Sequence, residues 1–189
     1  AMYVLAACYA RGAGTDVDEK SAMSWMQKSA DAGNVDAAEY VGVALLNGDG
    51  VQKDVRRAIE MLSKAADGGS ASADLVLGST FADVKSALRN DTKAVFHLDR
   101  AIERTSDDSE RAIAAANLGA LIAQGRGVPR DDGKAFQLLT FAVEHDQEHA
   151  VELLATLDAQ GLGTQKDDTL ATKLFQRAAE KGYSGAMVA

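Results

Sequence analysis

A chain of 189 residues with 20 Lys and Arg against 28 Asp and Glu carries a formal charge of −8, which sets nucleic acid aside as a partner because phosphate binding needs a basic stripe. One proline, 17 glycines and 5% aromatic residues in an alanine-rich chain favour close-packed helices over a sheet sandwich, so the expected class is all-α. Cys8 is the single cysteine and makes no internal disulfide; it reads as a small apolar residue of the first helix. No apolar run approaches the roughly 18 residues of a spanning helix, so this segment is not expected to insert in a membrane.

The predicted elements come in pairs. A first helix through Leu5 and Tyr9 ends at the turn Gly12-Ala13-Gly14, Asp18 opens a second helix carrying Ala22, Trp25, Lys28 and Ala30, and Gly33 stops it. Adding 36 to each number gives Gly48, Gly50, Asp54, Ala58, Met61, Lys64, Ala66 and Gly69. The third unit starts in register with Ala73, Leu77, Gly78 and Phe81, but its turn, Val84 to Asn90, has lost both glycines. That loss is expected either to extend the first helix or to open a longer loop. Ala94, His97 and Ala101 return to register, and about five extra residues follow around Thr105 to Ser109. The fourth unit supplies Leu118-Gly119, Ile122, Gly125, Gly127, Asp131, Ala135, Leu138 and Ala142. The fifth supplies Leu154, Gly161, Gly163, Asp167, Ala171, Leu174 and Gly182, with Asp158 standing where Tyr9 stands in the first.

One array of five helical hairpins accounts for the chain, with units of about 1–36, 37–72, 73–113, 114–149 and 150–185, and 186–189 opening a further helix. A hairpin of this size cannot bury its apolar face alone, whereas a stack can. Because Ala1-Met2 already lies within a first helix and a new unit begins at Ala186, the chain reads as a segment of a longer protein, and excision is expected to expose Tyr3 and Tyr183.

Each recurring residue has a physical task. The turn glycines permit positive φ, and Asp18, Asp54, Asp131 and Asp167 cap second helices. Gly33, Gly69 and Gly182 stand where a left-handed residue ends them. Ala22, Ala30, Ala58, Ala66, Ala135, Ala171 and Ala179 let helices approach, while Leu5, Val41, Leu77, Leu118, Leu154, Trp25, Met61, Leu138 and Leu174 are expected to fill the space between.

Signals that imitate chemistry have simpler readings. The Gly-x-Gly turns follow no strand and do not continue as Gly-Lys-Ser/Thr, so they are not phosphate loops. His145 and His149, with Glu144, Glu148 and Glu152 nearby, would form a metal face on one continuous helix, but the register puts an interhelix connection across them. His97, in the place of Trp25 and Met61, reads as a packed residue. No Ser, Cys or Lys nucleophile has a base placed by any spacing, and neither a catalytic residue nor a cofactor is expected.

The pattern Leu/Val-Gly or Ala, Gly-x-Gly-Val, Asp, an Ala-spaced second helix and Lys-Ala-Ala resembles the Sel1-like repeat, a relative of the tetratricopeptide repeat, over nearly the whole chain. The resemblance implies a right-handed α/α superhelix, or solenoid, whose first helices line a concave groove, and adaptor or scaffold roles in bacterial envelopes, secretion or host contact. Its cysteine-rich branch is linked to enzyme-like penicillin binding, a disulfide framework this chain lacks.

Carried onto this sequence, the groove geometry implies inward positions Tyr3, Ala7 and Arg11, then Asp36, Glu39, Val43 and Asn47. Ser72, Leu75, Ser79 and Asp83 follow, then Ala116, Ala120 and Gln124, and Glu152, Thr156 and Gln160. This small, partly acidic lining suits a protein or peptide bearing Lys or Arg. Lys85 and Arg89 form a second, basic spot on the irregular third turn. The alternatives are a structural spacer or envelope-complex module that uses convex faces or array ends and, more remotely, a hydrolase-like enzyme.

Overall fold

The structure, a computed structural model, describes residues 1–180. Among them are ten α-helices: α1 (Met2–Arg11), α2 (Glu19–Asp31), α3 (Val35–Asn47), α4 (Val55–Asp67), α5 (Ala71–Ala82), α6 (Asp91–Arg104), α7 (Asp108–Ala123), α8 (Asp132–Glu144), α9 (Val151–Gln160) and α10 (Asp168–Glu180). A 3-10 turn over Glu148–Ala150 precedes α9, and no strand occurs among the described residues. Gly182, Tyr183 and the helix expected from residue 186 lie outside the described residues.

Packing divides the chain into two compact units, residues 1–77 and residues 78 onward, with the boundary inside α5. In the first, α1 packs on α2, α2 on α3 and α3 on α4; in the second, α6 packs on α7, α7 on α8, α8 on α9 and α9 on α10. This sequential packing is that of stacked helical hairpins.

The caps form as the spacing predicts. Asp18, Asp54 and Asp131 accept from the amides of Ser21, Arg57 and Lys134 at 3.0, 3.0 and 2.9 Å, and Asp167 accepts from Thr169 and Leu170. The cap residue's own amide then ties the hairpin shut: Asp18 donates to the Tyr9 carbonyl at 3.0 Å and Asp54 to Leu45 at 2.9 Å.

The third hairpin closes the same way, with Asn90 donating to the Phe81 carbonyl at 2.9 Å and capping α6 through Lys93. Its turn neither extends α5 nor opens into a longer loop. In place of glycine, two short turns are braced by side chains, Asp83 accepting from the Lys85 amide at 2.9 Å and Ser86 Oγ from the Leu88 amide at 3.1 Å. Asx and Ser turns bend the chain without positive φ. The extra residues before the fourth unit are absorbed locally: Thr105 is buried, Asp107 caps α7, and α7 runs to 16 residues against 13 in α3.

Part of the core expectation is out of phase by a residue: Met61 and Leu174 are buried as expected, but in the first, third and fourth hairpins the buried position is the next one along. Leu62, Leu98 and Leu139 are fully buried and Met26 is 7% exposed, whereas Trp25, Leu138 and His97 are half-buried and Leu5 and Ala179 are exposed. The reason lies in the facing helix. A Cβ added to Gly42 would sit 2.6 Å from Leu62 Cγ, at Gly78 2.6 Å from Leu98 Cγ, and at Gly119 2.9 Å from Leu139 Cγ. In the second, third and fourth hairpins the first helix offers a glycine notch into which the second helix sets a leucine. A helix turns about 100° per residue, so His97 and Leu138 point to the margin, although Met61 stays buried. His97 accordingly stacks on Phe81 at the margin, ring centroids 5.8 Å apart.

The fifth hairpin carries a buried acid. Where Leu45, Phe81 and Ile122 are buried, Asp158 is 1% exposed and its Oδ2 has no hydrogen-bond partner. In the second and fourth units a cavity of about 460 or 450 Å³ beside this position is lined in part by Arg57 or Lys134. At their place the fifth has Leu170, which brings no cation to the carboxyl. Burial, and then the Asp167 charge, raise the Asp158 pKa above its ordinary value.

Candidate functional site

The depression of interest is built by α1 and α3 within the first compact unit. Tyr3, Asp36, Glu39, Tyr40 and Val43 line a volume of about 370 Å³. The spacing of 36, 39, 40 and 43 puts these α3 side chains on one face, two turns deep. Both rings are accessible, Tyr3 at 38% and Tyr40 at 53% exposure, although aromatic residues make up only 5% of the chain. Glu39 is held in place by the Ser70 hydroxyl, which donates to Oε2 at 2.5 Å while Ser70 Oγ accepts from the Ala73 amide at the start of α5.

Four groove residues expected from sequence are therefore brought together: Tyr3, Asp36, Glu39 and Val43. Arg11 and Asn47 are exposed at the helix ends, and Asn47 Nδ2 donates to Asp49 at 3.1 Å. In the second unit, Asp83, Gln124 and Gln160 are exposed, while Ser79 and Glu152 are half-buried. Ser79 Oγ accepts from Asn117 Nδ2 at 3.1 Å, and Asp83 braces its own turn. Leu75 and Ala116 are buried, so they belong to helix packing and not to a lining surface. Tyr40 was missed by the sequence reading. Its signal was an aromatic ring beside Glu39 at a position where α3 could be neither core nor cap.

The basic spot divides in two. Lys85 is exposed, but Arg89 makes a paired contact with Asp91, Nε to Oδ1 at 3.0 Å and Nη2 to Oδ2 at 2.6 Å. Arg126 reaches the same carboxylate at 2.7 Å and donates to the Ala82 carbonyl at 2.9 Å. Hydrogen bonds from Arg89 and then Arg126 hold the Asp91 carboxyl far below the usual carboxylate range.

The histidine pair lies on a connection, as the register implied. Asp146 takes φ 62° between α8 and the 3-10 turn, the His145 ring lies against Phe141, and Arg177 of α10 grips Glu148 at 2.6 and 3.0 Å. Among the described residues, no group of three or more His, Cys, Asp and Glu is placed to hold a metal ion. No described helix is long and apolar enough to cross a membrane.

Helical hairpins in sequential contact, presenting side chains from their first helices, define a repeat scaffold. The Sel1 repeat matches residues 1–34, 35–70, 85–106, 112–147 and 149–183, and the chain belongs to the Sel1-repeat family. Members of this family are generally protein-interaction scaffolds. Among solved structures, a Sel1 repeat protein from Oxalobacter formigenes is 25% identical, with a TM-score of 0.77 over 98% of this chain and 72% of that one. A protective antigen of uropathogenic Escherichia coli displaying an SLR fold is 27% identical, with a TM-score of 0.77 over 98% of this chain but 38% of its own. Cysteine-rich protein B of Helicobacter pylori is 25% identical with a TM-score of 0.50 over 74% of this chain and 97% of its own. No curated protein matches the sequence at the significance required.

Proposed function

We propose that this chain is a non-catalytic scaffold that captures a protein or peptide partner through the first-helix face of its leading hairpins, with Tyr3, Asp36, Glu39, Tyr40 and Val43 receiving a segment that bears Lys or Arg. The observation that carries this reading is the meeting of two accessible phenol rings and two carboxylates around one depression. A cation over a tyrosine face contributes about 0.5–1 kcal/mol at an exposed site, and opposite charge at the rim sets orientation and speeds encounter. The net charge of −8 favours the same partners at longer range.

Affinity purification from cells that make the protein, with the native chain beside an Asp36→Lys/Glu39→Lys variant of matched stability, tests the reading. A partner with a basic segment held by the native chain and lost by the variant is the expected result. Partners retained equally by both would move binding to the convex faces or the array ends and overturn the groove assignment.

A further inference from the structure

The chain carries its own template for a second recognition element. Between the third and fourth hairpins, Arg126 of the fourth turn enters a slot at the start of α6, where it bridges the Asp91 carboxylate and the Ala82 carbonyl at 2.7 and 2.9 Å. The turn presses close here: a Cβ on Gly127 would lie 2.3 Å from the Asp91 carbonyl oxygen. In the fifth hairpin Gly163 closes as tightly on the Asp132 carbonyl, at 2.2 Å.

The register carries this slot to the junction between the first and second hairpins, where Ala10 stands for Ala82, Glu19 for Asp91, Asp49 for Arg126 and Gly50 for Gly127. There the turn stands off. Nothing lies within 4 Å of a Cβ on Gly50, and a cavity of about 310 Å³ opens between Ala10, Glu19, Met23, Tyr40 and Asp49. Both arginines that neutralise Asp91 are missing from it: Asp49 occupies the place of Arg126, and Val17, 62% exposed, the place of Arg89. The slot thus keeps the acid and the carbonyl, gains a second acid, and has lost its cation.

We propose that this slot takes an arginine side chain from a partner protein, its guanidinium bridging the Glu19 carboxylate and the Ala10 carbonyl as Arg126 bridges Asp91 and Ala82. Asp49 supplies the opposing charge, and the Tyr40 ring, which also lines the neighbouring depression, forms one wall. A guanidinium suits this pair better than an ammonium, because its planar fork is preorganised to serve a carboxylate and a carbonyl at once. This deepens the proposed function by giving the partner's basic segment a residue type and a place, and it is separable from groove binding because Glu19 and Asp49 lie outside the first depression.

The test uses the blocked tripeptides acetyl-Gly-Arg-Gly-amide and acetyl-Gly-Lys-Gly-amide, titrated into the whole 15N-labelled chain at low ionic strength. The arginine peptide is expected to shift the Ala10, Glu19, Tyr40 and Asp49 amides saturably, with at least fivefold weaker binding for lysine. Glu19→Gln should weaken binding several-fold, and Asp49→Arg should abolish it, because the new arginine occupies the slot from within. Asp36→Lys/Glu39→Lys should leave these shifts in place, whatever becomes of the groove. Absent shifts at tens of millimolar peptide, equal response to lysine, or undiminished binding by folded Asp49→Arg or by Glu19→Gln would overturn the proposal.

Discussion

Replacing Asp158 with leucine should stabilise the fifth hairpin. The site is one that leucine already fills in the second unit, where Leu45 is 5% exposed, and the present occupant is a buried carboxyl with one oxygen unpartnered. An unpartnered buried polar group costs about 1–3 kcal/mol, so the substitution should gain about that much near neutral pH. The pH dependence gives a second handle. Because burial raises the folded-state pKa of Asp158 above its unfolded value of 3.8, the folded chain holds the proton more tightly. Its stability contribution is complete below that unfolded value and is lost as pH rises through the folded one. The gap between Asp158→Leu and the native chain should therefore widen from pH 4 to pH 8, while Asp158→Asn keeps a polar group there and removes the titration. Repeat arrays open locally, so urea midpoints should be read beside amide exchange in α9 and α10. A leucine variant less stable than the native chain, or a gap that does not change with pH, would refute the reasoning.

Other consequences follow from the packing. Gly42→Ala sets a Cβ 2.6 Å from Leu62 Cγ and should cost about 1–3 kcal/mol by overpacking, measured as a lower urea midpoint with an unchanged slope. Gly127→Ala and Gly50→Ala impose similar backbone strain at φ 73° and 68°, but only the first drives a methyl into the Asp91 carbonyl. Thermal melts should show Gly127→Ala as clearly the more destabilising.

Much of this fold was legible because its devices are local and recur. A capping aspartate, a glycine pair and an alanine-spaced helix act within a few residues of themselves, so Asp18, Asp54, Asp131 and Asp167 could be assigned from spacing alone. Helix rotation was harder to read. Choosing between Leu138 and Leu139 needs the position of Gly119 on the facing helix, and that pairing spans 20 residues. The third turn misled for a related reason, since Asp83 and Ser86 supply by hydrogen bonding what glycine supplies elsewhere by conformational freedom. The groove positions Tyr3, Asp36, Glu39 and Val43 came from the resemblance together with helical spacing, whereas Tyr40 and the slot beside it depend on how far one turn stands from the next helix. That separation is a tertiary quantity; Gly50 and Gly127 look alike in sequence.

The most direct measurement of the central claim is site-specific photocrosslinking, with a photoreactive phenylalanine analogue at Val43 in the whole chain. It would be carried out in cells that make the protein and followed by mass spectrometry of the joined peptides. The account predicts crosslinks to a partner segment rich in Lys or Arg, abolished when Asp36 and Glu39 are changed to lysine in the same chain. Crosslinks to segments without basic residues, crosslinks indifferent to the charge reversal, or none at Val43 while the same analogue on a convex face gives a partner would contradict it.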